Sequence, residues 1–227
     1  MASCARQPVV TIDGPAGAGK STAARELARR LGFRLVDTGA MYRALAWAVR
    51  EAGLPPEDGP ALRALLARTT VDLAGGRVTV DGRDVTDAIR SPAIGALTSV
   101  LTALRPVRDK MTPLQRAQAC DGGVVFEGRD TGSVVFPEAE VKVYLEASLE
   151  ARARRRYLEL GQRGVETSLE TVRAEVARRD QQDMARELAP LVKPDGALVL
   201  DSTALSAEAV VERLLQEVER ARCCTAS

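Results

Sequence analysis

The chain has 227 residues, 45% of them hydrophobic and 28% charged, which is the composition of an ordinary globular protein. Its 32 basic and 31 acidic groups leave a formal net charge of +1, too small for a global field that would draw it onto nucleic acid or anionic lipid, and no run approaches the ~20 apolar residues of a membrane helix. Histidine is absent, which excludes Ser-His-Asp and Cys-His nucleophiles, His-ligated zinc and imidazole acid-base catalysis. In chain order, Val9 to Ile12 is a β-branched run suited to a buried parallel strand. A glycine-rich turn follows, then a helix from Lys20 to Leu31 stopped by Gly32. Leu35-Val36 reads as a second short strand, and a helix from about Ala40 to Glu51 stops near Gly53 and Pro55-Pro56. Short alternating runs at Val71 to Leu73 and Val78 to Val80, around Gly75-Gly76 and before Asp81-Gly82, predict a small antiparallel insertion. Helices are expected from Pro92 to Leu104 and Val107 to Ala119, strands at Val124 to Phe126 and Val141 to Leu145. Two arginine-rich helices, Leu149 to Leu160 and Leu169 to Ala185, flank a turn at residues 161–164. A strand at Ala197 to Leu200 and a helix from Ala207 to Ala221 complete an α/β alternation.

The strongest local signal is Gly14-Pro15-Ala16-Gly17-Ala18-Gly19-Lys20-Ser21, followed by Thr22, between a buried strand and a helix. The spacing G-x-x-x-x-G-K-S curls successive backbone N–H groups toward phosphate oxygens, and the helix N-terminus adds a favourable dipole. Lys20 supplies a positive charge for the β- and γ-phosphates of ATP and Ser21 a hydroxyl for Mg²⁺. There are only four lysines beside 28 arginines, so a lysine at this position is informative.

Three further clusters narrow the chemistry. Asp37 to Arg43 follows the second strand, and because open α/β sheets bind ligands at strand carboxyl ends, Thr38, Tyr42 and Arg43 are expected at the cleft. Glu127-Gly128-Arg129-Asp130-Thr131-Gly132 sets a charged pair between glycines on a strand-end turn. Arg179, Asp183 and Arg186, at i, i+4 and i+7, share one helix face, as ligand contacts or as a plain surface ion pair. Arg152, Arg155 and Arg156 are either a solvated face or cations for phosphoryl transfer. From residue 152 to 186, nine arginines against six acids give a local +3 in a near-neutral chain.

With GPAGAGKST from Gly14, DTGAMYR from Asp37, EGRDTGSVVFP from Glu127, RRD with the later Asp183 and Arg186, and LVLDST from Leu198, the chain resembles the bacterial cytidylate kinases of the nucleoside monophosphate kinase superfamily over nearly its whole length. The resemblance implies a P-loop NTPase-type three-layer α/β fold with a central parallel sheet, a small antiparallel monophosphate-binding insertion and a helical lid. Its domains would be a core of residues 8–54, 91–150 and 187–222, the insertion at 55–90, the lid and arginine-bearing helices at 151–186, and tails at 1–7 and 223–227. It implies transfer of the γ-phosphoryl group of ATP to CMP or dCMP with Mg²⁺. It also implies that Thr38, Ser99, Arg108, Asp130, Arg179 and Asp183 contact the nucleoside while Arg43, Arg129 and Arg186 handle phosphate. Glu127 stands where some relatives have Asp, and Gln182 where a basic residue can occur.

These parts suit a reaction without a general base, since a phosphate acceptor is already ionised near neutral pH. The work is alignment and charge cancellation, with Lys20, Arg129, Arg155 and Arg156 as the expected catalytic cations. Cytosine presents an N4 amino donor that Asp130 can accept, where uracil presents an acceptor; Arg108 and Ser99 would serve the O2 and N3 acceptors. The turn at Gly161 to Gly164 is the expected lid, needed to keep water from the γ-phosphate. The alternatives are a related kinase acting on UMP, AMP or a shikimate-like acceptor, and a nucleotide switch or motor ATPase; no N-K-x-D guanine motif is present. The expected setting is a cytoplasmic monomer without nucleic-acid or membrane partners. Its four cysteines, Cys4, Cys120, Cys223 and Cys224, lack C-x-x-C spacing and read as reduced thiols.

Overall fold

The computed structural model describes residues 6–225. Two compact units emerge, one formed by the chain up to Leu35 and from Asp121 onward, the other by Val36 to Cys120.

In the first unit, β1 (Gln7–Asp13) lies at the centre of a sheet completed by β2 (Arg34–Asp37), β6 (Gly122–Glu127), β7 (Val141–Glu146) and β8 (Leu198–Asp201), in the order β2-β6-β1-β7-β8. β1 pairs parallel with β6 (Val9 opposite Val124) and with β7 (Val10 opposite Val141), and β7 pairs parallel with β8. Parallel strands are buried on both faces, hence the valine and isoleucine runs. The period of two sends Val10 and Ile12 to one face of β1 and Thr11 and Asp13 to the other. Val10, Ile12, Val125, Val143 and Leu145 meet α1 (Lys20–Leu31) through Ala23, Ala24, Leu27 and Ala28, and α8 (Ala207–Thr225) through Val210, Val211, Leu214 and Val218. The alanines of α1 bring its backbone close to the sheet, which fixes the helix start, and with it Lys20, at the carboxyl end of β1. Gly32 ends α1 in the left-handed conformation, as its position in the sequence predicts.

The same unit carries a helical hairpin, α6 (Leu149–Gln162) and α7 (Leu169–Met184), each started by a serine: the Ser148 and Ser168 hydroxyls accept from Ala151 and Thr171 N–H at 3.2 and 3.1 Å. Leu160, Val172 and Val176, with Leu149, form its own small core. α6 runs through Gly161-Gln162, so the turn is made by Arg163 and Gly164 rather than by four residues. α7 ends at Met184, which takes Arg186 off the helix face expected for it.

In the second unit, α2 (Thr38–Glu51) packs on α4 (Pro92–Leu101), α5 (Arg105–Ala117) and the antiparallel sheet β3 (Val71–Ala74), β4 (Arg77–Val80), β5 (Arg83–Asp84). The antiparallel register, Val71 opposite Val80, follows the predicted insertion. α3 (Pro60–Arg68) escaped the sequence reading, although Pro60 at its first turn and buried Leu62, Leu65 and Leu66 mark it. α4 stops at Leu101, three residues early, because α5 begins sooner than expected, with Leu104 extended as its cap and Pro106 in its first turn. Cys120 and Cys223 are exposed; Cys4 and the Cys224 side chain lie outside the described residues.

Candidate active site

The Gly14 to Thr22 loop leaves β1 and enters α1. At Gly14, φ is 145° and an added Cβ would stand 2.0 Å from the Leu145 carbonyl oxygen, so the chain passes β7 too closely for any side chain. Gly19 caps α1 in the left-handed region. Pro15 and Ala18 are buried, Ala16 and Gly17 half-buried, while Gly19, Ser21 and Thr22 are exposed at the helix start. Lys20 is only 6% exposed, and its Nζ donates to the Pro15 carbonyl at 2.7 Å, folding the side chain back over its own loop. Burial and the neighbouring Arg129 charge push the Lys20 ammonium well below its ordinary pKa, with Arg179 adding to the effect; Glu127 and Asp13 oppose it. A buried ammonium facing two guanidiniums favours an anion among them.

Asp13, fully buried at the end of β1, was not singled out from the sequence. One of its oxygens accepts the Thr131 N–H at 3.0 Å and the Thr131 hydroxyl at 2.7 Å; the other accepts the Gly132 N–H at 2.7 Å. Those bonds hold a π-helical turn, Thr131–Val135, that follows directly on Arg129 and Asp130. Burial pushes the Asp13 carboxyl up to about 6 despite the hydrogen bonds, which pull it down. Gly128 N–H donates to the Ile12 carbonyl at 3.1 Å, so both sides of the Arg129-Asp130 pair are tied to β1. Asp130 and Glu127 are buried and Arg129 is half-buried.

Arg129 Nε donates to Asp183 Oδ2 at 2.9 Å, and Arg186 donates to the other oxygen of the same carboxylate. Asp183 is 1% exposed, so it belongs to a buried cluster and not to a solvated surface pair. Arg179 is half-buried on the same helix. One turn before Asp183, Asp180 Oδ1 accepts the Ala16 N–H at 3.2 Å, and Oδ2 pairs with Arg152. The three α6 arginines therefore differ. Arg152 is buried against the phosphate loop. Arg155 donates to the Ser202 hydroxyl at 3.0 Å and carbonyl at 2.6 Å, while Ser202 Oγ donates to Ala18 O at 3.0 Å. Arg156 is partly exposed and pairs with Glu159 at 2.8 Å. Gln182, exposed, accepts from Arg178 at 3.3 Å.

The second unit presents its own set. The Asp37 carboxylate caps α2 by accepting the Ala40 N–H at 2.8 Å and receives Arg43 at 2.9 Å. Thr38 and Tyr42 are buried, and the Arg108 guanidinium lies 5.9 Å from the centre of the Tyr42 ring while donating to the Thr102 carbonyl at 3.3 Å. Ser99 is half-buried on α4, its hydroxyl donating to the Gly95 carbonyl at 3.4 Å. Asp13 is a supporting residue that the sequence does not announce, and Arg152, Asp180 and Ser202, though they lie in motifs noted above, take their contacts to the loop from residues more than a hundred positions away, which no local spacing reveals.

A magnesium ion carried with a triphosphate fits the donor set: the Ser21 hydroxyl is an exposed neutral oxygen at the loop's end, whereas Asp13 commits both oxygens to Thr131 and Gly132. Among the described residues no group of three or more acidic or thiol side chains could hold a metal on its own, and no helix is long and apolar enough to cross a membrane.

The family model described as cytidylate kinase matches residues 10–220. A cytidylate kinase of Geobacter sulfurreducens is 52% identical over 220 residues, with 94% of each chain covered. One of Symbiobacterium thermophilum is 46% identical over 225 residues, covering 97% of this chain and all of that one. A solved structure, of an uncharacterised protein from Eubacterium ventriosum, shares the fold with a TM-score of 0.53 at 9% identity, covering 94% of this chain and 99% of the other. The phosphate loop on β1, the arginine-carboxylate cluster beside it and a family match spanning both units lead to one statement: the chain belongs to the cytidylate kinase family.

Proposed function

We propose that this protein transfers the γ-phosphoryl group of ATP to CMP or dCMP, giving ADP and CDP or dCDP, as a cytoplasmic monomer that needs no nucleic-acid or membrane partner. The observation that carries the reading is the Lys20 ammonium buried over its own glycine-rich loop, where burial first and then the Arg129 and Arg179 charges hold it below its ordinary pKa. Such a cluster is costly on its own and is relieved by a polyanion. The loop from Gly14 to Thr22 would hold the ATP phosphates, with Ser21 as the protein ligand of Mg²⁺. That ion, when bound, screens the β- and γ-oxygens. Lys20, Arg129, Arg155 and Arg156 would cancel charge as the phosphoryl group moves. Arg155 and Arg156 would have to leave Ser202 and Glu159 to do so, and the hairpin they sit on is the proposed lid, residues 151–186. For the acceptor, Arg43, Arg129 and Arg186 would take the phosphate, and Thr38, Tyr42, Ser99, Arg108, Asp130, Arg179 and Asp183 the nucleoside. The proposed domains are a core of residues 8–54, 91–150 and 187–222, with residues 55–90 as the monophosphate-binding insertion.

An assay of ADP release with Mg²⁺ and ATP against CMP, dCMP, UMP, AMP and GMP tests the reading. CMP and dCMP should support turnover, UMP more slowly, and the purine monophosphates should not. Equal turnover with AMP, or turnover needing no acceptor, overturns it.

A further inference from the structure

Ala16, third residue of the phosphate loop, is held through both of the peptide groups that flank it. Its N–H donates to Asp180 Oδ1 at 3.2 Å, and its carbonyl accepts from the Arg152 guanidinium at 3.0 Å. Asp180 and Arg152 are paired to each other, 6% and 8% exposed, and Arg152 Nε is fixed in turn by the Ala147 carbonyl at 2.9 Å. At the next residue, a Cβ on Gly17 would lie 2.9 Å from the Arg152 carbonyl oxygen, so the start of α6 presses directly on the loop. Three residues after Asp180 on α7, Asp183 grips Arg129 and Arg186. Thus one turn of one helix carries two buried carboxylates, one on the phosphate loop and one on the arginine cluster.

A carboxylate against a loop that receives polyphosphate is unfavourable by sign, since like charges repel and burial strengthens the repulsion. Its presence is compatible with phosphate binding only because Arg152 neutralises it in place. Charge and geometry are therefore separable: Asp180 contributes the position of the Ala16 N–H, and Arg152 contributes both the position of the carbonyl and the cancellation of Asp180.

We infer that Asp180 and Arg152 are positioning residues for the triphosphate: together they set the two peptide groups on either side of Ala16 in the phosphate loop, and Arg152 masks the Asp180 charge from the incoming phosphates. This deepens the kinase reading above and rests on it. Neither side chain is assigned contact with the reacting atoms.

The test is calorimetric binding of Mg·ATP and, separately, of CMP to the full chain, with each variant held at least about 20 °C below its own melting midpoint so that only folded protein is read. Asp180→Asn should weaken Mg·ATP several-fold. Arg152→Met should weaken it more, by tens of fold, because a buried carboxylate is left facing the loop. The double variant should bind Mg·ATP better than Arg152→Met alone, a reversal that ordinary loss of packing does not produce. CMP affinity should move less than twofold in the single variants. Arg152→Lys, which keeps the charge but not the two-pronged grip, covers the case in which Arg152→Met does not fold, and should fall between native and Asp180→Asn. Unchanged Mg·ATP affinity in all the variants, or a double variant worse than Arg152→Met, overturns the inference. A native chain that binds neither nucleotide instead overturns the kinase reading itself.

Discussion

At Asp13, burial and hydrogen bonding pull in opposite directions, and burial wins: the carboxyl titrates near 6 instead of 3.8. A group with a raised folded-state pKa favours the native state when protonated. Its contribution is complete below pH 3.8 and is lost as the pH rises through about 6, a change of roughly 3 kcal/mol. Asp13→Asn removes that titration. The stability of the native chain relative to this variant, from urea melts, should therefore fall between about pH 4 and about pH 6.5; a difference that stays flat contradicts the assignment. Asp130 makes a second prediction. A carboxylate accepting from the cytosine amine discriminates by about 1–3 kcal/mol, so Asp130→Ala should lower the CMP-to-UMP ratio of kcat/KM by ~5–150-fold. An unchanged ratio removes Asp130 from base choice. Lys20 and the glycines were legible because the chemistry lies in eight consecutive residues. Asp13 was not, because its value depends on Thr131, 118 positions later.

Among the elements, those with caps and period agreed best with the sequence. α1 begins at Lys20 and stops at Gly32 as read, and the β3–β4 pair sits where Gly75-Gly76 puts it. α3 was passed over because Pro55-Pro56 and Gly59 flank it and read as loop, although its leucines follow helical spacing. The π-helical turn after Asp130 had no local signature at all; it exists because Asp13 accepts two of its N–H groups. The far end of the α6–α7 hairpin holds itself together through Leu160, Val172 and Val176, so it can swing as one piece while Arg152 and Asp180 keep the near end on the phosphate loop. A pair of fluorescent labels, one at Gly164 and one on the exposed face of α8 at Glu219, with all four native cysteines replaced, should report a shorter distance when a non-hydrolysable ATP analogue and CMP bind together. No change with both ligands bound excludes the hairpin as the lid.

For the whole molecule, a net charge of +1 conceals a strongly uneven distribution, with nine arginines in residues 152–186. The parallel class of the main sheet was foreseeable from its valine-rich strands, but the order β2-β6-β1-β7-β8 was not, since it joins Val9 to Val124 across most of a domain. That order brings the Gly14 loop and the Glu127 turn to neighbouring strand ends, and this places a buried lysine among arginines. Charge cancellation around a moving phosphoryl group is what such an arrangement can do. The direct measurement is to follow label from ATP carrying a marked γ-phosphate, with Mg²⁺ and CMP, through native protein and Lys20→Ala. Label should enter CDP in step with ADP, and the variant should be slower by ~10²–10³-fold. Label released as inorganic phosphate at the same rate with or without CMP, or a variant that matches the native rate, would contradict the account.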